Sequence, residues 1–223
     1  MIRVFNILVS GLSLFLLSPA LVPVIIVLRF TGEGEVLYKQ KRIGKDQNPF
    51  YLFKFATMLK NSENIGAGSL TMRNDPRVLP LGRILRKTKI NELPQLINIL
   101  LGDMNIVGPR PLVPEGEGHY PNQVSVKLRS ISPGVTGIGS IMLRDEESYY
   151  AHRKDARDFY KNVISPYKGS VELWYIENRS FALDIKIIAL TVGVILFRHN
   201  NTEKFFQGLP KMPTEMKSSQ LEN

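Results

Sequence analysis

The 223-residue chain has no cysteine, one tryptophan and three histidines. Without a thiol there is no disulfide, no cysteine nucleophile and no thiolate-held zinc or iron–sulfur site. His119, His152 and His199 stand too far apart to show a ligand spacing, so a histidine metal cluster is not expected either. Acidic charge is scarce beside basic charge, with 20 Asp and Glu against 29 Lys and Arg and a formal net charge of +9. That balance favours an anionic partner: nucleic acid, a phosphate-bearing small molecule or an acidic membrane face. Charge alone does not choose among them.

The first thirty residues lack charge almost entirely. Val4 to Leu28 is a run of 25 uncharged residues bounded by Arg3 and Arg29, about 38 Å long as a helix and enough to enter a bilayer. Three readings compete. A signal peptide would cleave near Ser18 and Ala20 and leave the greasy "LVPVIIVL" as a new terminus. A straight spanning helix must hold Pro19 and Pro23 in mid-membrane. In the third, "SPALVP" is a bend, Ser18 bonds a carbonyl freed by Pro19, and the chain re-enters the side it came from, which suits arginine at both ends. The re-entrant path is the expectation carried forward, over residues 1–30.

After Arg29 the composition is that of a compact domain, expected over 31–199, with a polar tail at 200–223 that Phe205 and Phe206 could pin down. The runs Val36 to Tyr38 and Phe50 to Phe55 read as short strands joined by a tight loop. Residues 61–76 are small and polar and read as a surface loop. Leu93, Leu96, Ile97, Leu100 and Leu101 fall at helical spacing and predict a stripe facing a core, with Gly102 as the stop. A mostly apolar helix from about Leu183 to Phe197 reads as a core or interfacial helix. The fold class expected is α+β.

Residue 91 raises the functional question. Asparagine is among the best N-caps, and Pro94 would then be the third helical residue, where its missing N–H costs nothing. Yet basic residues crowd the position: Arg83, Arg86, Lys87 and Lys89 precede it, and Arg110 follows in the stiff "GPRP". Such arginines suit bidentate phosphate binding, and a solvated or lipid-facing basic surface explains the first group nearly as well.

The motifs "YKQKRIG", "KFATM", "DPRVLPLGRILRKTKINELPQLINILLGDMNIVGPRP", "SPGVTGIGSI" and "LWYIENRSFALDIKIIALTV" occur in that order. Together with the Ser18-Pro19 break, they resemble the bacterial sugar transferases of the monotopic phosphoglycosyl transferase type over roughly residues 1–197. The resemblance implies a re-entrant membrane helix, a catalytic domain on the cytoplasmic face of the bacterial inner membrane, and interfacial amphipathic helices. It also implies a magnesium-dependent two-step transfer of sugar-1-phosphate from a UDP-sugar to polyprenol (undecaprenyl) phosphate. An aspartate attacks the β-phosphorus, UMP leaves, and the polyprenol phosphate then takes the phosphosugar.

The catalytic Asp-Glu pair of that family falls on Asn91-Glu92. A neutral carboxamide cannot form the acyl phosphate, so this chain is expected not to turn over. A nucleophile-dead engineered chain and a natural pseudoenzyme that binds nucleotide sugar and regulates a partner both fit. A second departure is Ala56, where the family usually has arginine, which shifts weight to Lys54. By the same matching Glu92 is the expected Mg2+ ligand, Lys54, Arg86, Arg110 and Asp184 bind substrate, and anionic lipids are partners. Thr136, between Gly134 and Gly137, is not assigned a role. A rival class, a membrane-anchored nucleic-acid binder, lacks any helix-turn-helix, zinc-finger or aromatic RNA-binding motif.

Overall fold

The computed structural model describes residues 2–65, 75–113, 120, 122–150, 153–197 and 202–221. The three histidines and most of the loop expected at 61–76 lie outside them. The chain divides into two compact units, Met1–Lys41 with Phe50–Met104, and Arg42–Pro49 with Asn105–Asn223.

The first unit is built around α1 (Ile2–Phe30), one uninterrupted helix with Pro19 and Pro23 inside it. Ser18 Oγ donates to the Phe15 carbonyl at 2.7 Å, the carbonyl that Pro19 leaves without its N–H. The expected hydrogen bond is therefore present, while the backbone is assigned as helix throughout. Among the described residues this is the one helix long and apolar enough to cross a membrane, and its side chains are open to the surroundings, Phe15 to 75%.

Both ends of α1 touch the same unit. Near its start, Asn6 and Ser10 are buried, and Arg3 donates to the carbonyls of Ile99 and Leu100. Those carbonyls end α3 (Gln95–Leu101), where Gly102 takes the left-handed cap at φ 103. Near the end of α1, Leu28 is buried with Phe55 and Leu85, and Leu21 and Val24 pack on the same cluster.

The strands β1 (Leu37–Ile43) and β2 (Pro49–Phe55) pair as a two-stranded sheet. After β2 the chain runs through Ala56 and Thr57 to the bridge between Met58 and Val78, then into α2 (Pro80–Lys87). Gly82 sits so tightly on this stretch that a Cβ there would lie 2.2 Å from the Thr57 oxygen.

The stripe expected to face a core is only half-buried at Leu93 and Leu96 and opens outward beyond them. Ile97, Leu100 and Leu101 are exposed, Leu101 to 65%, whereas Gln95, Asn98 and Ile99 are buried. Asn98 explains the reversal: its Oδ1 accepts from the Phe53 N–H at 3.0 Å, and its Nδ2 donates to Tyr51 O at 2.7 Å and to Asp103 Oδ2 at 3.1 Å. With the polar face bonded to β2, the leucines turn outward. An apolar stripe predicts a core only when water is the alternative; beside a helix apolar enough to enter a bilayer, lipid is another.

In the second unit, β3 (Asn105–Val107) and β4 (Gly134–Thr136) run parallel, with Asn105 opposite Gly134 and Val107 opposite Thr136. Gly134 and Gly108 lie backbone to backbone, a Cβ at 134 falling 2.1 Å from the Gly108 nitrogen. These glycines serve chain packing, and Thr136 shares a 2.7 Å hydrogen bond with Thr191. Around this pair stand α4 (Asn122–Arg129), α5 (Ile138–Met142), α6 (Ala156–Phe159), α7 (Ser165–Glu177) and α8 (Phe181–Phe197). A π turn over Tyr160–Ile164 links α6 to α7. Beyond α8, Phe206 is buried edge-on against Trp174 at 5.8 Å, and Met216 of α9 (Thr214–Leu221) is fully buried.

Candidate active site

The turn that carries residue 91 is held from both sides. α2 ends at Thr88, and Lys89 adopts a left-handed conformation at φ 61, ψ 9. A 3-10 turn over Ile90–Glu92 follows, closed by Glu92 N–H to Lys89 O and Leu93 N–H to Ile90 O. Pro94 then caps α3 with no side-chain cap bond. The N-cap expectation for Asn91 is thus not met, because its residue sits inside the 3-10 turn and the helix begins later. Its side chain is buried at 7% exposure, and Oδ1 has no hydrogen-bond partner. A buried unpaired carbonyl oxygen costs about 1–3 kcal/mol, which a structural asparagine would be expected to avoid.

Lys89 is the strained member of the turn, since a non-glycine residue in the left-handed region costs roughly 1–2 kcal/mol. Lys89→Gly is expected to raise stability by roughly 0.5–1 kcal/mol after the glycine's larger unfolded-state entropy is subtracted. A thermal melt reads this, and an unchanged or lower Tm would mean that contacts of the lysine side chain outweigh the backbone relief.

One apolar cluster gathers the neighbours of the candidate residues in the first unit. Phe55 and Leu85 are its buried members and Ile90 packs on them. Each directly flanks a site candidate: Lys54, Arg86 and Asn91. Arg86 is half-buried with Nη1 directed to Met58 Sδ at 3.8 Å, and Lys54 and Glu92 are also half-buried. Arg83 and Lys87 are exposed. Ala56 is buried and donates its N–H to Val36 O at 2.9 Å.

Arg110 and Asp184 belong to the second unit. The turn bearing Arg110 is pinned through its backbone: Gly108 N–H donates to Thr136 O, Gly134 N–H to Pro109 O, and Arg42 Nη1 to Pro111 O at 2.8 Å. Asp184, in the first turn of α8, is buried and accepts the Tyr175 hydroxyl at 2.6 Å. Burial pushes its carboxyl above the usual range, opposed by that hydrogen bond and by the Arg179 charge. The same pairing ties α7 to α8.

The family profile described as bacterial sugar transferase matches residues 1–198, nearly the whole chain. The chain belongs to the bacterial sugar transferase family. Among its relatives in that family, undecaprenyl-phosphate glucose phosphotransferase of Komagataeibacter xylinus is 34% identical over 210 residues, 89% of this chain and 36% of that protein. Exopolysaccharide production protein ExoY of Sinorhizobium fredii is 30% identical over 207 residues, 86% of this chain and 84% of its own length. The uncharacterized sugar transferase EpsL of Bacillus subtilis is 34% identical over 194 residues, covering 87% and 86%. The chain thus spans about a third of some family members and most of others.

Residues missed at the level of sequence are Asn98, Gly82 and Glu172. Each is an ordinary letter inside a helix, and only the packing reveals what it touches.

Proposed function

We propose that this scaffold transfers sugar-1-phosphate from a UDP-sugar to polyprenol (undecaprenyl) phosphate with release of UMP, in two covalent steps, and that this chain is nucleophile-dead because residue 91 is Asn. The observation that carries the reading is the buried, unpartnered Asn91 Oδ1 in the turn between Lys89 and Glu92. An oxygen held ready there, with nothing to bond, is what an attacking group requires. In the active form a carboxylate oxygen at 91 attacks the β-phosphorus, the bond to the UMP oxygen breaks, and the phosphosugar rests on the carboxylate until polyprenol phosphate displaces it.

Arg110 would clamp the diphosphate and stabilise charge as it develops, with Lys54, Arg86 and Asp184 as further substrate-binding residues. Among the described residues no three His, Cys, Asp or Glu side chains converge. The half-buried Glu92 together with substrate phosphates is a donor set that fits Mg2+. The ion would neutralise diphosphate charge.

We place the catalytic domain, 31–199, on the cytoplasmic face of the bacterial inner membrane, with 1–30 as a re-entrant helix. Support comes from the contacts at both ends of α1, since a helix crossing a ~30 Å hydrocarbon core would carry one end away from the unit that holds the other. Exposed Arg83 and Lys87 flank Ile84, itself 61% exposed, a combination suited to an anionic lipid surface.

Equilibrium binding of UDP-sugars to the chain in nanodiscs with magnesium tests the reading without turnover. Saturable binding is expected, weakened about 10- to 100-fold by Arg110→Ala, the loss for one charged hydrogen-bonding group. Absence of UDP-sugar binding, or tight sequence-sensitive binding of duplex DNA in its place, overturns it.

A further inference from the structure

The second unit holds a buried group that the proposed reaction does not use. Glu172, on α7, is 2% exposed, and neither carboxyl oxygen has a hydrogen-bond partner among the described residues. Its Oε1 lies under Gly139 of α5, so close that a Cβ at 139 would fall 2.4 Å away. A carboxyl placed there without a partner is costly, and such a residue calls for a reason.

The charged neighbours supply one. Lys168, one turn earlier on α7, is taken by Glu146, to which its Nζ donates at 2.6 Å. Burial works against the Lys168 charge, but Glu146 and its other neighbours hold the pKa above the ordinary value. Tyr120 and Tyr160, whose hydroxyls burial keeps neutral, complete the group around this pair. The Arg110 amide and guanidinium lie close enough to Glu172 to lower its pKa without meeting either oxygen at hydrogen-bond geometry. Backbone bonds to β4 and the Arg42 side chain also hold the Arg110 turn. Glu172 is thus a buried acid set behind the turn that presents Arg110.

We propose that Glu172 is a positioning residue for Arg110, backing the Gly108–Pro111 turn and setting by its own charge how strongly that turn attracts the substrate diphosphate. The proposal rests on the reading of Arg110 as a diphosphate clamp. Ionised, Glu172 offsets the arginine's field; protonated, it leaves the positive charge free for an anion.

The titration falls in an accessible range. Burial raises the carboxyl from 4.5 to about 7, against the lowering effects of Lys168 and Arg110. The folded chain therefore keeps a proton that the unfolded chain releases between about pH 4.5 and 7, so this group's contribution to stability falls as pH rises through that window and is flat above it. Diphosphate binding next to Arg110 favours the protonated form by the same linkage.

The test measures binding of UDP-glucose, UDP-galactose and UDP-N-acetylglucosamine to the full chain in nanodiscs with magnesium from pH 5.5 to 8.5. Their diphosphate diester does not titrate there, and on the proposed reading of residue 91 no turnover consumes them. Affinity is expected to fall about fivefold between pH 6 and pH 8, the share of one pK unit of coupling that this window spans. Glu172→Gln, which mimics the protonated carboxyl, should bind at every pH as the unaltered chain does at pH 6, and Glu172→Asp should restore a pH dependence. Arg110→Ala should bind weakly and without a slope. Binding whose slope persists unchanged in Glu172→Gln overturns the role of Glu172 and leaves the substrate reading standing. Failure of every UDP-sugar to bind at any pH overturns both. Thermal melts across the same range report whether Glu172→Gln is folded and should lose the decline of Tm between pH 5 and 7.

Discussion

Asn91→Asp is expected to raise UMP release from a UDP-sugar by on the order of 10⁴-fold or more in the presence of magnesium and polyprenol phosphate, the scale on which loss of a catalytic nucleophile acts. The argument is geometric. Asn91 is buried inside the 3-10 turn with Oδ1 unpartnered, and the side-chain cap that asparagine could have made is not formed. Aspartate has nearly the same shape, so the turn should hold it without rearrangement. What changes is the oxygen: neutral in the carboxamide, anionic and nucleophilic in the carboxylate. UMP release by both forms would show that another group attacks. Release by neither, with any sugar, would favour a chain that binds nucleotide sugar and regulates a partner.

The second large effect concerns stability. Arg77→Ala is expected to cost about 3–5 kcal/mol, the range for leaving a buried charge without its partner. The Arg77 and Asp75 side chains are only 5% and 3% exposed and meet in a bidentate pair, Nε to Oδ1 at 2.8 Å and Nη2 to Oδ2 at 2.6 Å. Arg77 Nη1 also donates to the carbonyls of Ser62 and Ile65, and Asp75 Oδ1 accepts the Arg77 N–H. The pair fixes the segment that enters α2, whose Gly82 lies on Thr57. Denaturant unfolding in detergent measures the loss. Replacing both residues by apolar side chains of similar volume should recover much of it, because the desolvated charges go together. A loss under about 1 kcal/mol, the scale of an exposed pair, would show that water reaches the site.

Local chemistry was legible in the sequence where a residue acts on its own backbone. Ser18 and Pro19 predicted the hydrogen bond to Phe15 O, Gly102 predicted the end of α3, and the apolar runs predicted the β1–β2 pair. Where the solvent changes, the same rules misled. The stripe from Leu93 to Leu101 was read against water, and Ile97, Leu100 and Leu101 are exposed beside a helix long and apolar enough to cross a membrane. Asn91 looked like a cap because cap preference is a local statistic, and the 3-10 turn that displaces it follows from Lys89 and Pro94 acting together. Glu172 carries no signal in its spacing. Its meaning comes from Gly139 and Arg110, 33 and 62 positions away by their numbers, which only folding brings near.

The polar contacts at the start of α1 bear on bilayer mechanics. Over its first turns the helix gives one side to the protein, through Arg3, Asn6 and Ser10, and Leu28 is withdrawn into the cluster with Phe55 and Leu85. The part between them, Gly11 to Val27, is 17 residues, a cylinder of about 26 Å. That is a few ångströms short of an average hydrocarbon core of ~30 Å, and a re-entrant helix held at both ends, as proposed, would sink into one leaflet without crossing it. On that proposal the two held ends, and not the thickness of the bilayer, set how deeply α1 sinks.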